Sequence, residues 1–152
     1  MVRPHIFFVV GHSNWGKSYT LRELTQGNVW VRWIRLAGHE YFIRRMSNDD
    51  RPDSFIQTMG EISPDGHPYI LAALCPNFEN PKNPTEEILR TLKNKGYKLF
   101  FWVMLKRFGG EGMVAKSEIA RLKKFGKVKV FDGKREARAR SKEFKAFVIS
   151  NQ

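Results

Sequence analysis

The chain has 152 residues, the size of one ordinary domain, and 41% of them are hydrophobic. This composition excludes intrinsic disorder, and the lone cysteine, Cys75, excludes a small scaffold held by internal disulfides. Twenty-seven basic residues against fifteen acidic ones give a formal net charge of +12, which favours anionic partners such as nucleotides, nucleic acids or acidic proteins.

The sequence predicts neither a membrane span nor a secretion signal. Its longest apolar run, 99–105, is far shorter than the ~20 residues that a spanning helix needs. The first residues, Met-Val-Arg-Pro, lack the apolar core of a signal peptide. Together with the single cysteine, these features lead us to expect a cytoplasmic protein with no membrane partner.

In chain order, the first predicted element is a strand over 6–10, a continuous apolar run typical of a strand buried on both faces of a parallel sheet. A helix follows over 18–26. Residues 29–36 then predict a second strand with one partly wet face. Gly38 turns the chain back into 41–45, either as a hairpin or as an extension of that strand.

The rest of the chain alternates between the two kinds of element. Further helices are predicted over 53–59, 83–95, 115–125 and 135–148, and further strands over 69–74, 99–105 and 128–131. The Asn83-Pro84 pair marks the start of its helix, since it combines an N-cap with a proline at the first helical position. We therefore expect an α/β fold in a single domain over 1–152, a three-layer sandwich around a mostly parallel five-stranded sheet.

One motif lies between the first strand and its helix. Residues 11–18 read Gly-His-Ser-Asn-Trp-Gly-Lys-Ser, which satisfies the pattern G-x-x-x-x-G-K-[ST]. The glycines allow the backbone to curl so that successive amides point inward at a polyphosphate. Lys17 would contact the β- and γ-phosphates and act in catalysis, and the Ser18 hydroxyl would bind Mg²⁺. The predicted nucleotide-binding residues are Gly11, His12, Ser13, Asn14, Trp15, Gly16, Lys17, Ser18, Tyr19 and Thr20.

Residues 5–26 resemble the strand, Walker A loop and helix of P-loop NTPases. The resemblance implies the fold of that class, with ATP or GTP and Mg²⁺ as cofactors, and small kinase-like members are the closest in size. A guanine-reading Asn-Lys-x-Asp element is absent, because 94–97 read Asn-Lys-Gly-Tyr. ATP is therefore the expected nucleotide.

The resemblance also implies an acid at the end of a second apolar strand. The strand over 69–74 instead ends in Cys75-Pro76-Asn77. Other acids follow the second strand and can serve as substrate-binding or base residues, or equally as loop acids and helix caps: Glu40, Asp49, Asp50 and Asp53. The sequence therefore implies nucleotide binding more strongly than turnover.

Small kinases resemble one another in using lid arginines to neutralise the transferring phosphoryl group. Lys106, Arg107 and the glycine-rich segment 109–112 follow the strand over 99–105, so we assign Arg107 to this catalytic role. Three further arginines follow the second strand, where an acceptor would bind: Arg44, Arg45 and Arg51. Each of these cations can equally be a solvated surface charge.

The C-terminal third supports a competing hypothesis. Between 116 and 145 the chain has twelve basic residues against four acidic ones. Lys134, Arg138, Lys142 and Lys145 share one side of the last helix, where they form either a solvated face or a surface for phosphate backbones. Tryptophans that could stack on bases are Trp15, Trp30 and Trp33, although strand tryptophans more often lie in the core.

Two functions follow from these patterns. The first is a Mg-dependent P-loop enzyme that hydrolyses or transfers the γ-phosphate of ATP. The alternative is a nucleotide-dependent accessory or switch protein that binds nucleic acid or an acidic protein partner through the basic C-terminal third, with weak or no turnover.

Overall fold

The structure is a computed structural model that describes residues 3–12, 15–45, 47–48, 52–78, 85–107, 112–132 and 136–152. These residues form six strands and five helices. The strands are β1 (His5–Val10), β2 (Trp33–Leu36), β3 (His39–Arg44), β4 (Tyr69–Leu74), β5 (Lys98–Met104) and β6 (Gly126–Phe131). The helices are α1 (Lys17–Glu23), α2 (Pro52–Glu61), α3 (Thr85–Asn94), α4 (Lys116–Lys123) and α5 (Ala137–Ser150). The predicted cap Asn83-Pro84 lies outside the described residues.

All six described strands form one sheet in the order β2-β3-β4-β1-β5-β6. Neighbouring strands are parallel except for β2, which is antiparallel to β3. The α/β class and the mostly parallel sheet are confirmed, but the expected count of five strands is wrong. The error arises at 29–45, where the chain forms a hairpin whose first strand begins only at Trp33 and adds an antiparallel edge to the sheet.

Apolar side chains fill both faces of the central strands, as expected for parallel strands that are covered on both sides. In β1 every residue is buried. Phe7 contacts Phe147 of α5 with ring centroids 5.9 Å apart, whereas Phe8 points to the opposite face and stacks on Phe101 at 5.4 Å. β1 is therefore a rigid base for the loop that follows it.

Helices cover both faces of the sheet. α1 packs against α5, and α2 packs against α3. The connections from β1 and from β4 run in opposite directions along the sheet. Since crossovers between parallel strands are right-handed as a rule, this order is expected to put α1 on one face and α2 and α3 on the other. This arrangement is compatible with the expected three-layer sandwich. In the described part of the chain, no helix is both long and apolar enough to cross a membrane.

The strand order creates a switch point beside β1. The chain leaves β1 towards β2 and β3, whereas it leaves the adjacent β5 towards β6 on the other side. At such a switch point, a crevice is expected between the loops that follow the two strands. In open α/β sheets, ligands bind in such crevices at the carboxyl ends of the strands.

Candidate functional site

The loop over 11–16 begins directly after β1, at this switch point. Its first residue, Gly11, donates its N–H to the Leu74 carbonyl at the end of β4 at 3.1 Å, and Trp15 donates to the His12 carbonyl at 3.2 Å. Gly16 then takes a φ of 90° immediately before α1. A side chain there would be strained, and its Cβ would lie 3.2 Å from Nη1 of Arg140. Ser13 and Asn14 lie outside the described residues.

Lys17 points back into the loop. Its Nζ donates to the His12 carbonyl at 2.8 Å, and the residue is only 5% exposed. The long apolar stem is buried, while the charged end lies beside the loop backbone. The structure therefore holds a buried cation against the backbone of His12.

The next residues of α1 differ in what they offer to a ligand. Ser18 is half-buried and lines a pocket that is described below. Tyr19 is largely exposed. Thr20 is fully buried, and its hydroxyl donates to the Gly16 carbonyl at 2.9 Å, so this hydroxyl is used within the helix.

Trp15 braces the loop instead of lying on the surface. It is buried, and its ring contacts His12 edge to face with centroids 5.2 Å apart. On its other side, a Cβ added to Gly112 would lie 3.1 Å from the indole ring. Trp15 therefore connects the 11–16 loop to the segment that follows β5.

His12 joins three elements at the crevice. Its Nε2 lies 3.0 Å from Oε1 of Glu118 in α4, and its Nδ1 lies 3.9 Å from Sγ of Cys75 after β4. The same Glu118 oxygen accepts the N–H of Ala115 at 2.9 Å, which fixes the carboxylate at the start of α4. A carboxylate is thus held against the loop by a helix that follows β5.

Arg140 supports the loop from α5. It is 2% exposed, and its Nη1 donates to the Trp15 carbonyl at 2.6 Å. Burial lowers the pKa of Arg140 from its ordinary value, but a guanidinium starts so high that it stays charged near neutral pH. The 11–16 loop therefore lies beside a second buried cation besides Lys17.

No acid stands at the end of β4. The Cys75 backbone is held by the buried Asn48, whose Oδ1 accepts the Cys75 N–H at 2.7 Å and whose Nδ2 donates to the Cys75 carbonyl at 3.1 Å. Nδ2 also lies 3.0 Å from Oγ1 of Thr85. Among the other acids considered, Glu40 pairs with Arg35 at 3.5 Å, Asp53 is exposed in the first turn of α2, and 49–50 lie outside the described residues.

The segment after β5 is only partly described, since 108–111 fall outside. Lys106 pairs with Asp132 at 3.2 Å. The Arg107 side chain is exposed, and its backbone N–H donates to the Gly112 carbonyl at 3.4 Å. The structure therefore places Arg107 on the segment that meets Trp15, and its role at the phosphate stays a prediction.

Two basic depressions flank α1. The first is a groove of about 520 Å³, here called the α5 groove, and its lining includes Arg138, Lys142 and Lys145. This confirms that these three cations share one side of the helix. Lys134 lies outside the described residues. A second depression of about 380 Å³, here called the arginine pocket, opens beside Ser18. It is lined by Ser18, Arg22, Val29, Arg32, Phe42, Ile43, Arg44 and Arg45.

Sequence reasoning missed Glu118 and Arg140. Glu118 is 106 positions from His12, and Arg140 is 125 positions from Trp15. The only local signal for Glu118 is its place in the first turn of a helix that follows a central strand. Arg140 is one of many cations in the C-terminal third, and no local signal distinguishes it.

Comparison with protein-family models, curated proteins and solved structures found no match to this chain. The described residues contain no group of three or more His, Cys, Asp or Glu side chains that could hold a metal ion. The functional argument therefore rests on the geometry of the loop and its surroundings.

Proposed function

We propose that this chain is a P-loop protein that binds MgATP and hydrolyses or transfers the γ-phosphate. The observation that carries the proposal is Lys17, the first residue of α1, whose buried ammonium bonds to a preceding loop that begins and ends in glycine at the carboxyl end of β1. A strand, a glycine-bounded loop and a helix in this order suit a polyphosphate because backbone N–H groups and one lysine can surround it.

The described residues fit a triphosphate in two respects. Gly16 adopts a conformation that other residues rarely adopt, which permits the tight curl of the backbone before α1. Lys17 and Arg140 supply two cations at the loop. ATP would be preferred over GTP because the sequence has no guanine-reading element.

Magnesium would bind mainly through oxygens of the nucleotide and water. Ser18, half-buried at the start of α1, would supply the protein hydroxyl. This suits Mg²⁺, which usually keeps several waters and takes few protein ligands. The ion would add positive charge where negative charge develops in the reaction.

Glu118 is the acid that would assist turnover. It comes from α4, not from the end of β4, and it is bonded to His12 of the loop at 3.0 Å. Through this contact, the carboxylate can orient the imidazole and stabilise the imidazolium that forms when Nδ1 takes up a proton, so that the pair acts as a general base. The arrangement offers an acid in place of the one missing after β4.

Lys17→Ala tests whether Lys17 and the 11–16 loop bind ATP, as both candidate functions require. Removal of the ammonium should weaken ATP binding about a hundredfold or more, because a charge-assisted contact to two phosphates is lost. Calorimetric titration with MgATP measures the change. Lys93→Ala, an exposed lysine of α3, is the matched control and should bind as the parent does. Equal affinity in the Lys17→Ala variant would refute nucleotide binding by this loop.

Glu118→Gln tests the proposed base. The amide oxygen can still accept the Ala115 N–H, so α4 should remain intact, whereas the carboxylate is lost. We expect turnover to fall about a hundredfold with little change in ATP affinity. Phosphate release is the measurement, and Glu87→Gln in α3 is the control. A variant that turns over at the parental rate would remove Glu118 from catalysis.

The second candidate function is a nucleotide-dependent switch that binds nucleic acid with weak or no turnover. The α5 groove favours it, since three cations of one helix line a single depression. ATP turnover would be measured with and without single-stranded DNA at two salt concentrations. Stimulation that falls steeply with salt supports the switch, because contacts to phosphate backbones release counterions. Phosphate that appears on an added small acceptor supports the enzyme.

A further inference from the structure

The arginine pocket concentrates positive charge next to the predicted triphosphate site. Arg22 projects from α1, Arg32 from the segment before β2, and Arg44 and Arg45 from the end of β3. Burial, followed by the neighbouring guanidinium groups of Arg22 and Arg32, lowers the pKa of Arg45 from its ordinary value. Arg45 is therefore close enough to Arg22 and to Arg32 for their charges to repel.

No acid in the described part of the chain neutralises these three. The ion pairs described there join Glu40, Glu86, Glu118 and Asp132 to residues outside the pocket. The Nε atoms of Arg22 and Arg45 are buried without a hydrogen-bond partner among the described residues. Arg45 is nevertheless held in place, since its Nη2 donates to Oγ1 of Thr25 at 2.9 Å and to the Asn28 carbonyl at 3.2 Å. Guanidinium groups that line one open pocket without a neutralising acid among the described residues suit an anion with several oxygens.

Three exposed aromatic residues either contact a residue that lines this pocket or adjoin one in sequence. Tyr19 lies under the Arg22 guanidinium, whose carbon is 4.6 Å from the ring centroid. Trp33 is 45% exposed and contacts the pocket residue Phe42 with centroids 5.3 Å apart. Trp30, next to the pocket residue Val29, is 84% exposed. Trp33 also stacks on His67 with centroids 5.7 Å apart. Exposed aromatic rings beside arginines are typical of surfaces that stack on bases.

We propose that the arginine pocket binds the phosphate of a nucleotide, with the base stacked on a neighbouring exposed aromatic ring. The ligand is either a free mononucleotide or the 5′-terminal nucleotide of a single-stranded nucleic acid, because both present the same phosphate and base. A fully apolar ligand would leave the guanidinium groups unneutralised, and a bare inorganic anion would not use the aromatic rings.

The pocket shares Ser18 with the predicted magnesium position, so the bound phosphate would lie next to the γ-phosphate of ATP. Use of the pocket as an acceptor site rests on the proposed function, whereas its ability to bind a nucleotide phosphate does not. The two statements can therefore fail separately.

The experiment measures binding without ATP or magnesium. A short oligothymidylate labelled at its 3′ end is titrated with protein, once with a 5′-phosphate and once with a 5′-hydroxyl, and fluorescence anisotropy reports binding. The parent should prefer the 5′-phosphate about tenfold. Arg22→Ala combined with Arg32→Ala should abolish that preference.

The matched control removes two exposed arginines outside the pocket, Arg35→Ala with Arg90→Ala. Both double variants lose the same charge, so the general electrostatic attraction falls equally and only the local contact differs. The control should keep the 5′-phosphate preference. Trp30→Ala should weaken binding of both oligonucleotides several-fold, because stacking does not depend on the phosphate.

Two outcomes overturn the proposal directly: no 5′-phosphate preference in the parent, or a preference that survives the double substitution of Arg22 and Arg32. A third is loss of the preference in Lys17→Ala, since this would place the phosphate in the 11–16 loop. Retained preference in Lys17→Ala supports the pocket even if that variant binds ATP normally and the proposed function fails. Competition with thymidine 5′-monophosphate separates the sources. If thymidine 5′-monophosphate displaces the labelled oligothymidylate, the ligand is a free nucleotide. If only the unlabelled oligonucleotide displaces it, the ligand is a nucleic-acid end. Each result supports the proposal.

Discussion

Individual residues at the 11–16 loop have two tasks, to shape the backbone and to place charge. Gly16 and Trp15 shape it, through a left-handed conformation and a buried ring. Lys17 and Arg140 place cations on it, each bonded to a loop carbonyl. A cation that is already desolvated and held by the protein loses little further freedom when an anion arrives. The loop is therefore partly prepared for its proposed ligand.

Arg140→Met tests the contribution of the buried guanidinium. We expect ATP affinity to fall about tenfold, equivalent to about 1.4 kcal/mol. The free energy of unfolding should change less than a simple loss of contacts suggests, because the cost of burying a charge disappears with the charge. Calorimetric titration and thermal unfolding measure the two effects. Arg138→Met, exposed on the same helix, removes the same charge away from the loop and should leave affinity unchanged.

At the scale of elements, the β2–β3 hairpin is where sequence and structure differ most. Its two-residue turn has positive φ at both positions, 47° at Ala37 and 89° at Gly38. Two-residue hairpin turns of this kind favour Asn-Gly, and alanine is a poor residue for the left-handed conformation. The strand pairing thus imposes on Ala37 a conformation that its own preferences oppose.

Ala37→Asn should therefore stabilise the protein. Asparagine tolerates a positive φ better than alanine, and we expect the free energy of unfolding to rise by about 0.5–1 kcal/mol. Gly38→Ala should have the opposite effect and cost about 1 kcal/mol, because it adds a Cβ at a φ of 89°. Denaturant unfolding measures both variants. A loss of stability in the Ala37→Asn variant would contradict this account of the turn.

Strands β1, β4 and β5 could be predicted to within one residue because continuous apolar runs between turn residues are local signals. The sequence does not decide between a hairpin and an extended strand at 29–45. The choice depends on which strand β3 pairs with in the sheet, and that strand is β4. At the candidate site, the glycines and Lys17 come from one contiguous motif. Glu118 and Arg140 reach it only through the tertiary fold, so no local pattern could place them.

At the scale of the whole molecule, a large excess of positive charge surrounds a core that contains a neutral histidine. His5 is 7% exposed and is surrounded by the rings of Phe7, Tyr69 and Phe100. Burial, together with the nearby Lys98, lowers its pKa below the ordinary value of 6.5. In the folded state the imidazole therefore takes up a proton less readily than in the unfolded state.

This shift predicts a pH dependence of stability. The contribution of His5 to the free energy of unfolding should be fully present above about pH 6.5. It should be lost as the pH drops below this value, because the unfolded state then binds the proton more readily. His5→Phe keeps an aromatic ring and removes the titration, so its free energy of unfolding should fall less when the pH is lowered from neutral to mildly acidic. Denaturant unfolding at several pH values compares the two proteins. Parallel curves would show that His5 does not contribute.

Asn48 holds the Cys75 backbone through two hydrogen bonds, and the Cys75 thiol can report on the opening of the structure around it. The chain has a single thiol, which is buried directly after β4 and lies 3.9 Å from Nδ1 of His12. An alkylating reagent can reach a buried sulfur only when the surrounding structure opens. The rate of alkylation, followed with and without a ligand, would therefore measure how often the structure around Cys75 opens, without any label or added cysteine.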